Sequence, residues 1–213
     1  MVLDKKRGHI DPILSFFAKP LRRFNPDVFT WIALLFSMIA GVFFYLSTPK
    51  NEETFVFLLL ASLFIFLNGL FDAIDGKIAK ITKKTSKHGD FLDHALDRYA
   101  DIFIVGGIAF SSWCDIRIGL LALIGMLLTS YMGTQAQAVG YKRVYGGILG
   151  RADRLALLIF IPIIQYILIK WEIIMIYDFT LIEWSMVYLA IMGNITALQR
   201  FVLTLRFFKK EKK

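Results

Sequence analysis

The chain has 213 residues, of which 57% are hydrophobic and 15% aromatic, and its mean hydropathy is +0.60. That composition excludes a water-soluble domain of ordinary make-up and points to one integral membrane unit. The formal net charge of +8, on a chain with no soluble part to present it, argues against nucleic acid and for anionic lipid headgroups and anionic substrates as partners.

Residues 1–12 are charged and lack the apolar core of a cleavable signal peptide. Over residues 10–23, Ile10, Ile13, Leu14, Phe16, Phe17 and Leu21 alternate with Lys19, Arg22 and Arg23. That pattern suits an amphipathic helix lying in a membrane interface. Asn25-Pro26-Asp27 breaks it, with Pro26 placed for the first turn of a new helix and Thr30 one turn further on the same face. Apolar runs long enough to span a bilayer follow at 28–47, 54–74, 99–114, 117–139, 155–171 and 181–205. The third extends back to about Gly89 if the acidic face before it belongs to the same helix.

The expected fold is therefore all-α: an interfacial helix (1–24), a bundle of six transmembrane helices (25–208) and a basic tail (209–213). With a cytoplasmic N-terminus, 22 of the 25 Lys and Arg fall on the inner side, leaving Lys50, Arg117 and Lys170 outside. The positive-inside rule then sets a multi-pass protein of the cell membrane, with both termini and the acidic cluster facing the cytoplasm.

Residues 72–97 carry most of the chemistry. Asp72 and Asp75 at i, i+3 share one helix face, as do Asp93 and Asp97 at i, i+4, and a Lys-rich turn joins the pairs. Helix ends often carry solvated acids, but both pairs adjoin strongly apolar runs, where an ionised carboxylate is costly and usually functional. Four facing carboxylates require a cation between them, and hard oxygen ligands suit Mg²⁺, Mn²⁺ or Ca²⁺ rather than zinc. Gly76 and Gly89 would let a flat or phosphorylated group approach the backbone.

Written as D-x-x-D-G-x-x-A-K, eight residues, then G-x-x-x-D-x-x-x-D, this stretch resembles the signature of the CDP-alcohol phosphotransferase family of membrane enzymes. The departure is Lys80, where the family usually has Arg; lysine keeps the charge and loses bidentate phosphate binding. The resemblance extends over roughly residues 25–205. It implies transfer of a phosphatidyl-type group from a CDP-linked lipid to an alcohol with release of CMP, two Mg²⁺ or Mn²⁺ ions, and a homodimer. Carried over by position, Asp72, Asp75 and Asp93 hold metal, and Asp97 acts as base and also touches metal. Gly76, Lys80 and Gly89 line the CDP site, and Thr30, after Asn25-Pro26, lies close to the nucleotide.

Outside the signature, Asn68 sits one turn before Asp72 in an apolar span, and its buried amide needs a partner. It either bonds a neighbouring helix or helps bind the cytidine. Asp101 continues the acidic face and is expected to pair with a basic or hydroxyl group rather than metal. Cys114 reads as a packing residue. Ser130, Thr134, Gln135 and Gln137 imply a helix face lining a cavity.

Arg151 and Arg154, at i, i+3 from the start of the fifth span, form an anion site that Arg200 either completes or leaves by snorkelling to the interface. Beyond the signature, these arginines point to an acceptor that itself carries phosphate. Gly-Thr-Gln-Ala-Gln-Ala-Val-Gly (133–140) and Tyr-Gly-Gly-x-x-Gly-Arg-Ala-Asp-Arg (145–154) resemble archaeal members that join CDP-archaeol to myo-inositol phosphate. Glycerol phosphate is the alternative acceptor. A divalent-cation transporter is the alternative of a different class, disfavoured because transporters place their sites near mid-membrane and a Lys-rich turn repels an entering cation.

Overall fold

The computed structural model describes residues 7–144 and 146–211, so Tyr145 lies outside it, as do the side chains of residues 7–11, 13, 210 and 211, among them Ile10 and Ile13 of the amphipathic face. Seven α-helices make up the described chain: α1 Arg7–Leu21, α2 Pro26–Leu46, α3 Val56–Ile81, α4 Lys87–Ala109, α5 Ile116–Ala138, α6 Arg151–Lys170 and α7 Leu181–Glu211. Among the described residues there is no strand beyond an isolated bridge between Ile176 and Phe179.

The helix ends follow local rules. Asn25 Oδ1 accepts from Asp27 N at 3.2 Å and Pro26 takes the first helical position, where its missing N–H is no loss. Ser86 Oγ caps α4 by accepting from Gly89 N at 3.0 Å, and Asp115 Oδ1 caps α5 from Arg117 N at 2.8 Å. At the end of α3, Lys83 takes a positive φ of 55° and Lys84 N donates back to Ala79 O at 2.9 Å, a left-handed stop with a lysine where glycine is usual. α6 runs unbroken through Pro162.

α2 packs against both α3 and α4, α5 against α4 and α7, and α6 against α3 and α7. The helices meet over a core of Phe44, Leu58, Ile65, Trp113, Met126, Ile182, Met186 and Leu189. Small residues set the closest crossings. A Cβ on Gly107 of α4 would lie 2.5 Å from Gly41 Cα of α2, and one on Gly193 of α7 would lie 3.0 Å from the Gly125 carbonyl carbon of α5. Polar groups inside the bundle bond to opposing backbone: Ser62 Oγ to Ile159 O at 2.6 Å and Thr129 Oγ1 to Gly193 O at 2.8 Å.

Trp31, Leu35, Val42, Phe66, Leu121, Ile124, Ile191 and Leu198 stay exposed, an apolar outer surface that suits lipid. Among the described residues, five helices are long and apolar enough to cross a membrane: Pro26–Leu46, Glu52–Ile81, Ile116–Ala138, Arg151–Lys170 and Leu181–Lys209. The expected third span corresponds to α4, one continuous 23-residue helix that includes the acidic face. It falls outside the apolar class because Asp90, Asp93, Asp97, Arg98 and Asp101 ride on it. Asp97 is buried and Asp93, Arg98 and Asp101 are half-buried in the bundle, which provides partners that lipid would not, while Asp90, in the first turn, is exposed.

α1 lies on α3, with Ala18, Leu14 and Leu21 packed on Ile74, Ile78 and Leu70, while Phe16 and Phe17 are exposed. At the opposite end, Cys114 is buried, and burial pushes its thiol up to about 12. It packs as an uncharged side chain, as expected.

Candidate active site

The last turns of α3 and the first turns of α4 bring the two acid pairs together. Ligand oxygens of Asp72, Asp75 and Asp93 all lie within 4.8 Å of one another, and a second such group joins Asp93, His94 and Asp97. Asp75 and Asp97 are 5% and 6% exposed. Asp75 Oδ2 is buried with no hydrogen-bond partner, and the Thr30 hydroxyl contacts the same carboxyl group. Burying such an oxygen is unfavourable unless something binds it. An all-oxygen set with an unpartnered, inward-facing member fits a divalent ion such as Mg²⁺ or Mn²⁺.

A cavity of about 200 Å³ opens on one side of this cluster, lined by Pro26, Thr30, Asp75, Gly76, Lys80, Gly89 and Asp93 among others. A Cβ on Gly76 would meet nothing within 4 Å, so its absence keeps open space for a ligand. On the other side a cavity of about 470 Å³ is lined by Asp93, His94, Asp97, Arg98, Thr129, Ser130, Arg143, Arg151, Arg154 and Arg200. Asp93 belongs to both walls.

The three arginines of the expected anion site are each engaged by protein groups. Arg151 spans the acids, donating to Asp72 through Nη1 at 3.2 Å and Nη2 at 3.1 Å, and to Asp97 Oδ1. Arg154, 4% exposed, donates to Met126 O at 3.3 Å and lies 3.9 Å from Asp101. Arg200 does not snorkel. Its Nη1 donates to Thr129 O at 2.6 Å and its Nε to Gly146 O at 2.9 Å, which draws the α5–α6 connection onto α7. Asp101 pairs with Arg98 Nε at 3.5 Å and with Arg154, so it is engaged by cations as expected.

Asn68 stands apart from both cavities. Its amide donates to Ala33 O at 2.8 Å and is buried between α3 and α2, which favours the helix-bonding alternative over contact with the cytidine. Asn68→Ala is expected to lower stability by about 1 kcal/mol and leave the donor KM unchanged. Thermal unfolding in detergent beside donor kinetics checks this; a raised donor KM without lost stability would return Asn68 to the nucleotide.

The family model for CDP-alcohol phosphatidyltransferases matches residues 23–205. The chain belongs to the CDP-alcohol phosphatidyltransferase family. As a member it is an enzyme, a CDP-alcohol phosphotransferase. Archaetidylinositol phosphate synthase of Pyrococcus horikoshii is 31% identical over 159 residues, covering 74% of this chain and 80% of that one. The enzyme of the same description from Methanothermobacter thermautotrophicus is 26% identical over 193 residues, covering 90% and 94%. Among solved structures, the Mycobacterium tuberculosis phosphatidylinositol phosphate synthase with CDP-DAG bound superposes with a TM-score of 0.70 at 22% identity, covering 91% of this chain and 94% of that one. The same protein in complex with manganese and citrate also gives 0.70.

Two residues of this CDP-alcohol phosphatidyltransferase had no assigned role in the sequence. His94 sits inside the signature, its Nδ1 3.4 Å from Asp93 Oδ2. Arg143, indistinguishable from ordinary inner-surface charge in the sequence, contacts the His94 ring from the α5–α6 connection. Ser130, Thr134 and Gln137 line a further cavity between α4 and α5, as their polarity in a span predicted, whereas Gln135 is exposed and lines none of these cavities.

Proposed function

We propose that the enzyme transfers an archaetidyl-type group from a CDP-linked lipid to a phosphorylated polyol, myo-inositol phosphate, with release of CMP, in phospholipid biosynthesis. The observation that carries this reading is the position of Asp93 in the shared wall of two cavities, one lined by the signature glycines and one by arginines. Two substrates can meet there across the carboxylates. The names of the two archaeal relatives, and the CDP-DAG bound to the tuberculosis enzyme, support the same donor and acceptor classes.

Asp72, Asp75, Asp93 and Asp97 would hold two Mg²⁺ or Mn²⁺ ions, which when bound neutralise the pyrophosphate and stabilise CMP as leaving group. Manganese in the tuberculosis enzyme supports this choice of metal. Thr30, Gly76, Lys80 and Gly89 receive the CDP moiety. The larger cavity takes the polyol, with Arg151, Arg154 and Arg200 directing positive charge at its phosphate. Asp97, held by Arg151 and by Arg98 Nη2 at 3.6 Å, takes the proton of the attacking hydroxyl. The hydroxyl oxygen bonds to the lipid-side phosphorus as its bond to CMP breaks.

Clustering of 22 of 25 Lys and Arg on one side supports a cytoplasmic active site and cytoplasmic termini. The exposed Phe16 and Phe17 of α1 support an interfacial helix beside the six-helix catalytic part; of the expected tail, residues 209–211 continue α7 and residues 212–213 lie outside the described residues. A homodimer rests on the family resemblance.

The test is an acceptor screen with purified protein and labelled CDP-archaeol. Metal-dependent CMP release is expected with myo-inositol phosphate and not with free inositol or serine. Equal use of free inositol would sink the phosphorylated-acceptor reading. Preference for glycerol phosphate would replace the polyol, and cation uptake without CMP release would favour a transporter.

A further inference from the structure

Arg143 lies on the connection between α5 and α6, which turns back at Gly140 (φ 89°) and at Gly147 (φ 131°) so that Val144 lies against Gly133 of α5. This brings Arg143 to the junction of the arginine-lined cavity with the cavity of about 580 Å³ between α4 and α5. His94, Arg98 and Ser130 form the rest of the shared wall. Every arginine of the inner cavity engages protein groups: Arg151 and Arg98 acids, Arg154 and Arg200 backbone carbonyls, and Arg143 the His94 ring. Arg143, half-buried, is the residue of the connection that lines both cavities.

His94 determines how the Arg143 guanidinium is held. Arg143 Nη1 contacts Nε2, while Nδ1 faces Asp93 Oδ2 at 3.4 Å. His94 Nε2 also lies 3.1 Å from Asp90 Oδ1. The imidazole thus ties the guanidinium to the carboxylate that both cavities share. Asp97 lines the same inner cavity as Arg143, whose volume is of ordinary small-ligand size. One phosphorylated polyol can therefore present its hydroxyl to the base and its phosphate to the connection.

We propose that Arg143 recognises the acceptor phosphate and that His94 is its positioning residue. This rests on the phosphorylated-acceptor reading above and adds a residue to it that the signature does not contain.

The experiment measures acceptor and donor KM, and the Kd of myo-inositol phosphate by calorimetry, for the full-length enzyme in detergent. Arg143→Ala is expected to raise the acceptor KM and Kd by roughly tenfold to a hundredfold, as loss of a charge-assisted pair predicts, with the donor KM unchanged. Arg143→Gln, which keeps length and loses charge, carries the same expectation should the alanine variant fail to fold. His94→Ala is expected to raise the acceptor KM by about threefold to tenfold, an effect that disappears in the Arg143→Ala background because it acts through that residue. An acceptor KM equal to wild type in the Arg143 variants overturns the proposal. A His94 effect that persists undiminished beside Arg143→Ala overturns the positioning role. If the unaltered enzyme uses no phosphorylated acceptor, the reading beneath fails instead, an outcome visible before any variant is made.

Discussion

Asp93→Asn is expected to abolish transfer, and excess chelator to do the same to the unaltered enzyme. Asp93 is the one residue, among those described, that belongs to both carboxylate groups and to both cavity walls. An amide in its place keeps the shape and removes a negative charge from each group at once, leaving Asp72 and Asp75 on one side and Asp97 on the other without their common ligand. Asp75→Asn touches one group only, so it is expected to retain more activity. CMP release followed alongside Mn²⁺ affinity distinguishes a lost ion from a lost base. Turnover by the wild type in excess chelator would refute the metal requirement. Full Mn²⁺ affinity in an inactive Asp93→Asn would move the residue's role from binding metal to chemistry.

Asp97→Asn is expected to lower transfer by about 10²-fold or more, the usual worth of general-base assistance, and further if the carboxylate also binds metal. Its side chain is 6% exposed and is held between Arg151 and Arg98, a placement that orients the oxygens toward the arginine-lined cavity. Binding of CDP-lipid should survive, because the smaller cavity is lined by Thr30, Asp75, Gly76, Lys80, Gly89 and Asp93 and not by Asp97. Single-turnover measurement at saturating donor separates the chemical step from binding. An asparagine variant that keeps more than a tenth of wild-type turnover would remove Asp97 from the role of base.

Arg151 illustrates how the site differs from its sequence pattern. Spacing with Arg154 shows that both start α6 on one side, and both do line the larger cavity. The sequence does not contain the approach of α6 to α3, and that approach delivers the Arg151 guanidinium to Asp72 and Asp97, 79 and 54 residues away. Asn68 differs for the same reason. Its place on the face of Asp72 is readable from period 3.6, whereas the Ala33 carbonyl that accepts its amide comes from α2.

The sequence by itself determined the class of fold, the order of the helices and the acidic signature, because apolar run length and i, i+3 and i, i+4 spacing are local quantities that any packing must respect. That α4 is one helix including its acids was conditional in the sequence and is decided by the structure, where Ser86 Oγ accepts from Gly89 N just before them. Tertiary structure alone decided that α2 contacts both α3 and α4, the latter through the close approach of Gly41 and Gly107. It alone decided that Asp93 divides two cavities and that Arg143 reaches His94 from the α5–α6 connection. These depend on helix crossings and on a turn through two left-handed glycines. Such contacts join residues tens of positions apart, and no periodicity in one segment encodes where another segment will lie.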